Sequence, residues 1–464
     1  MTSIRAFIRT RRGRYTLLGA TVLIIYVLAL TVALSSAMSR GVTARDFAIG
    51  NGDSQSYVSI AETMLEAHRY AKSPDAAPES GRLPGYPSFV AVLLWLFGTP
   101  LAVLVVQILC SVASALCIVH IGERLFSTSV GFIAAVLFAL DPNVVVLSLS
   151  TLSDILFVFT LLISSVLLLD DELTYRRALF GGVILGACSL VRPVGIFLIP
   201  LFVLWFIYRY HTQPRRALIL SAIILGMVAL FITPWLIRNY QLTGRFTFNT
   251  AGTYNLLFYN AVEFEAFRTH RSSTEVRSEI IAQFPAGDPA LLDSFVYVEQ
   301  QKAMIRSYLL PHISQYAIFH IFKTAPFFIG SSIAAAEDQL KASGALAPSS
   351  ARTANLSSLV LSGRFHEALA ALFANPLIAA EQCFWILITV VMFASVCVAL
   401  VRRSNHMPAV LFCAAIVGVL AILTGPVSMP RYRVPAEPFM LLLFSYACIE
   451  AVRFVRAWYD SRHV

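Results

Sequence analysis

Long apolar runs separated by short basic clusters make up most of the chain, a pattern that predicts membrane-spanning helices rather than alternating strands. The first run, about 15–38, follows Arg5, Arg9, Arg11, Arg12 and Arg14. It is longer than a signal-peptide core, so it reads as a retained first span. A polar loop then runs to about Pro87, and the next apolar piece, 88–98, stops at Gly98-Thr99-Pro100. That piece is too short to cross a bilayer and reads as a re-entrant or interfacial helix. Further spans are expected at about 101–121, 154–169, 217–236, 378–401, 407–424 and 437–455, with additional crossings between 121 and 217.

Sidedness follows from the basic clusters, which are retained on the cytoplasmic side. Arg124, Arg176-Arg177, Arg215-Arg216, Arg402-Arg403 and the 453–456 cluster mark inner turns, whereas Asp141-Pro142-Asn143 and Arg192-Pro193 fall at outer ones. The expected architecture is an all-α polytopic membrane protein of about 10–12 transmembrane helices with both termini cytoplasmic. It divides into an N-terminal transmembrane module (1–236) with a first external loop (about 39–98), an external loop domain (237–376) and a C-terminal transmembrane module (377–464). Within the loop domain, 313–329 is apolar but holds His320 and Lys323, and reads either as an in-plane amphipathic helix or as a span. The second case requires another crossing, at about 357–374, to keep the parity.

Composition narrows the function classes. Hydrophobic residues make up 58% and charged residues 13%, against about 25% charged in soluble domains. The net charge of +9 is explained by arginines beside apolar runs, so nucleic acid is not expected as a partner. Seven cysteines lie within or beside apolar runs without a CxxC pair, and read as small apolar side chains. No Walker A, GxSxG, HExxH or Rossmann pattern is present, so nucleotide-driven chemistry is unsupported.

Candidate chemistry gathers on the outer side. Asp53, in Gly52-Asp53-Ser54-Gln55-Ser56-Tyr57, stands just past the first span, and Asp154 stands at the mouth of a later one. Each reads alone as a helix cap, yet two acids on one side of the membrane also suit acid–base work. Arg82-Leu83-Pro84-Gly85-Tyr86-Pro87, Arg192-Pro193 and Arg431-Tyr432-Arg433-Val434-Pro435 put guanidinium groups at outer helix ends, against the positive-inside bias. Phosphate, paired acids and lipid headgroups all suit such groups. A divalent metal at Asp53 and Asp154 is weakly supported, because no third ligand is evident.

Taken in order, these stretches resemble the GT-C glycosyltransferases, particularly the group of dolichyl-phosphate-mannose protein mannosyltransferases and aminoarabinose transferases. The landmarks are Asp53 to Tyr57, Arg82 to Pro87, Asp154, Arg192-Pro193, Arg238-Asn239-Tyr240 through Gly244-Arg245-Phe246 to Tyr254, and Arg431 to Pro435. The stretch of about 265–375 matches none of them, and a lone Asp53 stands where mannosyltransferases often carry an Asp-Glu pair. The resemblance implies a polyprenyl-phosphate sugar donor in the cell (inner) membrane and an unknown lipid, glycan or protein acceptor. It implies Asp53 as the base, with Asp154 as a second acid. Arg82, Arg192, Lys323, Arg431 and Arg433 would bind the donor phosphate, and Tyr57, Tyr86, Tyr254 and Tyr432 would position donor or acceptor. Segments 88–98 and 313–329 would wall a groove for the prenyl tail. The competing class is a multi-pass transporter or lipid flippase, which would carry related halves and polar residues at the bilayer midplane. A non-catalytic scaffold on the same fold is the third reading.

Overall fold

A computed structural model describes residues 10–170, 173–285, 292, 294–347 and 363–463. The described elements are all helical, apart from a single antiparallel bridge between Ala71 and Pro78. The opening span, α1 (Arg11–Ser39), is capped by Thr10, whose hydroxyl accepts from Gly13 N at 2.9 Å. One stripe of it, including Leu18, Val22, Tyr26 and Ala37, is buried, while Leu17, Ile24, Leu28 and Val32 stay exposed on the opposite side. A helix apolar all round but buried along one stripe is a helix with lipid on its other face.

Two short helices follow, α2 (Ala44–Ile49) and α3 (Asp53–Glu66), joined by a turn in which Gly50 and Gly52 hold φ of +60° and +63°. A side chain at either position would be strained, so the two glycines let α3 begin at Asp53. The short helix expected at 88–98, re-entrant or interfacial, is α4 (Gly85–Phe97), 13 residues and about 20 Å long. It packs on α3, α5 (Leu101–Leu125) and α9 (Tyr175–Val191).

Between α5 and α9 lie α6 (Thr128–Leu140), α7 (Pro142–Ser148) and α8 (Ser153–Leu168). The expected turn at Asp141 is a 64° bend between α6 and α7, and the Asp141 carboxylate accepts from Asn143 N and Val144 N at 2.8 and 3.0 Å. After Arg192 a 3-10 turn, Pro193–Leu198, leads into α10 (Ile199–Arg209) and then α11 (Pro214–Thr243).

The loop domain begins with α12 (Ala251–Asn255), a π turn (Leu256–Ala261) and α13 (Val262–Thr269), followed by α14 (Ser273–Ala282) and α15 (Val298–Leu309). Leu257, Phe258, Phe264, Ile280, Met304 and Phe319 form a core there, separate from that of the bundle. The 313–329 stretch breaks into α16 (Ile313–Lys323) and α17 (Ala325–Ile329), and the 295–329 helices meet α18 (Ser332–Ala342) at 81°. That geometry is a broken span or a re-entrant loop. Of the other uncertain crossing, 357–362 lies outside the described residues, and α19 (Phe365–Phe373) is too short to span.

The chain closes with α20 (Pro376–Arg402), α21 (Met407–Thr424), the single turn α22 (Pro430–Arg433) and α23 (Glu437–His463). Among the described residues six helices are long and apolar enough to cross a membrane, and up to eight if each bent pair is one span; shorter apolar helices, among them α4 and α8, accompany them. The protein is therefore a multi-span membrane protein. Cys110, Cys188 and Cys413 are buried as expected, but Cys383 and Cys397 lie on the exposed side of α20.

Candidate active site

The site assembles where α3, α4, α8, α9 and α22 converge. Asp53 stands in the first turn of α3, where the free N–H groups of the helix favour a negative charge. The chain returns to it through Glu79, whose Oε1 accepts from the backbone N–H groups of Ser80, Gly81 and Arg82 at 3.2, 2.8 and 3.0 Å. This wraps the segment around one carboxylate and aims Arg82 at Asp53, Nη2 to Oδ1 2.5 Å. The Arg82 guanidinium also lies 4.9 Å from the Tyr57 ring centroid, a cation–π contact. Tyr57 packs edge-on to Tyr86 at 4.7 Å, and the Tyr86 hydroxyl donates to Gln107 at 2.7 Å. Gln107 in turn donates to the Ser150 carbonyl at 2.6 Å, tying the first loop to the turn that precedes Asp154.

Asp154 is fully buried at the start of α8. An ionised carboxylate there requires paired cations, and it has two: Arg192 Nη1 on Oδ1, and Arg431 Nε at 3.0 Å from Oδ2. Arg431 then bridges to Asp53, Nη1 to Oδ2 3.4 Å. The result is a continuous chain, Arg82–Asp53–Arg431–Asp154–Arg192, in which three guanidinium groups face two carboxylates and leave one formal positive charge. Tyr432 flanks it, its ring centroid 5.6 Å from the Arg192 guanidinium and 6.0 Å from that of Arg431.

The network grades from dry to wet. The Asp154 side chain is 0% exposed and that of Asp53 39%. Burial pushes the Asp53 carboxyl up, but the charges of Arg82 and Arg431 outweigh it and hold the group below the usual carboxylate range. The same cations argue against a resident divalent metal: both acids are already neutralised, and among the described residues no three His, Cys, Asp or Glu side chains cluster.

Eight of the eleven residues singled out in the sequence therefore meet or flank one another: Asp53, Tyr57, Arg82, Tyr86, Asp154, Arg192, Arg431 and Tyr432. Three do not. Arg433 is fully buried, with its donors engaged by Glu437, Ser332 and the Gly330 and Phe328 carbonyls, and its guanidinium 3.5 Å above Trp385. It has no exposed face for a phosphate. Lys323 pairs with Glu263 at 3.4 Å in the loop domain, and Tyr254 packs on Phe258 in the core of that domain. The two segments expected to wall a lipid groove have different neighbours, because α16 packs on the Gly425–Val427 turn rather than joining the α4 cluster. Sequence reasoning missed Glu79, which nothing in the local pattern separates from a solvated loop acid, and Gln107, hidden in an apolar run.

The fold, and one segment of the sequence, have counterparts among known proteins. Residues 81–238, which hold Arg82, Tyr86, Asp154 and Arg192, match the family model of dolichyl-phosphate-mannose-protein mannosyltransferase. No curated protein matches the chain by sequence. The archaeal oligosaccharyltransferase AglB from Archaeoglobus fulgidus, in complex with an inhibitory peptide and a dolichol-phosphate, overlays with a TM-score of 0.52 at 14% identity. The overlay covers 96% of this chain and 52% of AglB, so this chain spans about half the length of that enzyme. The apo form of the A. fulgidus oligosaccharyltransferase gives a TM-score of 0.50 at 15% identity, with 96% and 52% covered. ArnT from Cupriavidus metallidurans bound to undecaprenyl phosphate overlays loosely, with a TM-score of 0.37 at 14% identity, over 91% of this chain and 76% of that one. The chain thus carries the GT-C membrane glycosyltransferase fold, with residues 81–238 matched to the dolichyl-phosphate-mannose-protein mannosyltransferase family.

Proposed function

We propose that the protein is a glycosyltransferase that moves a sugar, hexosyl or pentosyl, from a polyprenyl-phosphate donor to a lipid, glycan or protein acceptor at the outer face of the cell membrane. The observation that carries this reading is the Arg82–Asp53–Arg431–Asp154–Arg192 chain, a cationic surplus beside an accessible carboxylate at the end of a helical bundle. The dolichol-phosphate held by AglB, which shares the fold, supports a donor of the same lipid class.

In the transfer, the acceptor hydroxyl oxygen forms a bond to the anomeric carbon as the bond from that carbon to the phosphate oxygen breaks. The electron pair leaves with the polyprenyl phosphate, and the hydroxyl proton goes to Asp53. Arg82, Arg431 and Arg192 stabilise the charge that grows on the phosphate, the kind of fixed donor array that contributes most when it is aimed in advance. Donor binding also frees the base: a phosphate that takes over Arg82 and Arg431 strips Asp53 of the partners that make it a weak one. Asp154 is sealed between two guanidinium groups and acts by holding Arg431 and Arg192 in place rather than by moving a proton. Tyr432, half-buried beside the Arg192 and Arg431 guanidinium groups, lines the approach, whereas Tyr57 and Tyr86 are buried and back Arg82 from within. A transporter or flippase fits less well, because the convergent charges sit at helix ends rather than along the middle of a span.

The test is mass spectrometry of envelope glycolipids and glycans from cells with and without the gene, repeated with Asp53→Asn. The expected result is one sugar modification lost in both strains with the variant inserted normally. Full modification by Asp53→Asn would overturn the proposed base. The outer location is checked with a C-terminal reporter that fluoresces only in the cytoplasm, which is expected to be bright.

A further inference from the structure

Arg82 is held by more than its carboxylate partner. Its backbone N–H donates to Glu79 Oε1 at 3.0 Å, and its carbonyl accepts from the Tyr70 hydroxyl at 3.1 Å. Both of these anchors touch one residue at the end of α11. Arg238 donates from Nη1 to the Glu79 carbonyl at 2.8 Å, and its guanidinium lies 5.3 Å from the Tyr70 ring centroid and 4.6 Å from that of Trp235. Tyr70 and Trp235 meet edge-on at 5.2 Å, so the guanidinium and the two rings form a three-way cluster.

The rest of the 235–250 stretch ties the same two segments together. Trp235 Nε1 donates to the Phe248 carbonyl at 2.7 Å, and Asn239 Nδ2 donates to the Thr247 carbonyl at 2.7 Å, folding the chain back along α11. Thr250 N then donates to the Ser80 carbonyl at 3.1 Å, within the turn that Glu79 organises. A span remote in sequence thus grips the peptide that carries Arg82 from both sides.

From these contacts we infer that Arg238, together with Tyr70 and Trp235, is a positioning residue that fixes the Arg82 peptide and so sets the affinity of the site for the donor phosphate. The inference rests on the proposed role of Arg82 in binding that phosphate. Arg238 does not touch the site; it acts through the Glu79 carbonyl and the Tyr70 ring. Its planar guanidinium lies over both aromatic rings while donating a hydrogen bond to the Glu79 carbonyl, which a lysine ammonium does only in part.

The experiment measures undecaprenyl phosphate binding to the full-length protein in nanodiscs, for the parent, Arg82→Ala, Arg238→Ala, Arg238→Lys and Tyr70→Phe, and for each of the last three combined with Arg82→Ala. Arg238→Ala is expected to weaken binding about tenfold, and Tyr70→Phe, which loses one hydrogen bond and keeps the ring, about threefold. Arg238→Lys is expected between the parent and Arg238→Ala. In the Arg82→Ala background all three effects should vanish, because residues acting through one group are not additive. A merely structural role would instead give the same weakening with and without Arg82, and that outcome overturns the inference. So does parent-like binding by Arg238→Ala. If Arg238→Ala does not fold, Tyr70→Phe and Arg238→Lys carry the same comparison. Weak binding by Arg82→Ala with parent-like binding by the Arg238 and Tyr70 variants defeats the positioning role alone. Parent-like binding by Arg82→Ala defeats the phosphate reading of the site itself.

Discussion

Arg431 and Arg433 lie two residues apart on one helical turn, and they live in opposite environments. Arg431 shares its guanidinium between Asp53 and Asp154, at the border between a dry acid and a partly exposed one. Arg433 points the other way, into a sealed pocket where Glu437, Ser332, the Gly330 and Phe328 carbonyls and the Trp385 ring surround it. Glu381 completes that pocket by accepting from Ser332 N at 2.7 Å and from Trp385 Nε1 at 2.8 Å. The difference teaches what separates a site from a joint. Exchangeable ionic partners at a wet edge leave room for an incoming anion. A guanidinium saturated by carbonyls and a carboxylate clamps the α17–α18 break to α20 and α23.

Mutations on the two sides of that turn should separate activity from stability. Asp53→Asn is expected to cost the largest factor, about 10²–10⁴ in transfer rate, with an unchanged unfolding midpoint in detergent; a large drop in that midpoint would make Asp53 structural. Arg431→Ala is expected to lower the rate by about 10²–10³ and to destabilise the protein as well, since it leaves the buried Asp154 with Arg192 alone.

Arg433→Ala should do the reverse. Removing one partner of a buried pair costs about 3–5 kcal/mol, seen as a lowered thermal midpoint, while any protein that remains folded keeps its affinity for undecaprenyl phosphate. Loss of that affinity in well-folded Arg433→Ala would erase the contrast with Arg431.

The pH dependence sharpens the same comparison. Because the folded-state carboxyl of Asp53 is held below its ordinary value, its favourable contribution is present in full above the unfolded value and is lost only as pH falls through the folded one. Thus kcat/KM, which reports the free enzyme, should stay flat from neutrality down to about pH 5. Arg82→Ala should move the acid limb upward, since burial then opposes ionisation with only Arg431 to offset it. An acid limb unmoved by that substitution would show that Asp53 is not the titrating group. The smallest effect is expected for Lys323→Gln, whose partly exposed ion pair with Glu263 is worth at most about 1 kcal/mol, with no change in donor affinity.

Much of the architecture is legible from the pattern alone. The spans at Arg11–Ser39, Leu101–Leu125, Pro376–Arg402 and Met407–Thr424 lie close to where the apolar runs put them, and the short piece before Gly98 is indeed a helix too short to cross. Those features depend on hydropathy and on local breakers, which act within a few residues. The 313–329 stretch is ambiguous for the same reason: its apolar count suits a span, but Pro326 and the packing of Phe327 against the C-terminal helices break it in two. Sidedness arguments bring Asp53, Asp154, Arg82, Arg192 and Arg431 to one face, and that grouping holds in their contacts. They fail for Arg433 because a helical turn points side chains two positions apart in different directions, and the pattern does not say which direction is wet.

Sequence by itself determined that this is a helical membrane protein with acids and arginines gathered at one end of its spans, because lipid as solvent imposes long apolar runs and a bias in basic residues. Only the tertiary structure decided which of those charges touch. The bond from Arg431 to Asp53 joins residues 378 positions apart, and that from Arg238 to the Glu79 carbonyl joins residues 159 apart. Such pairings depend on how whole helices pack, and no local periodicity encodes that. The same packing settles which guanidinium is saturated and buried and which keeps an exchangeable partner, so it alone separates a candidate phosphate ligand from a structural clamp.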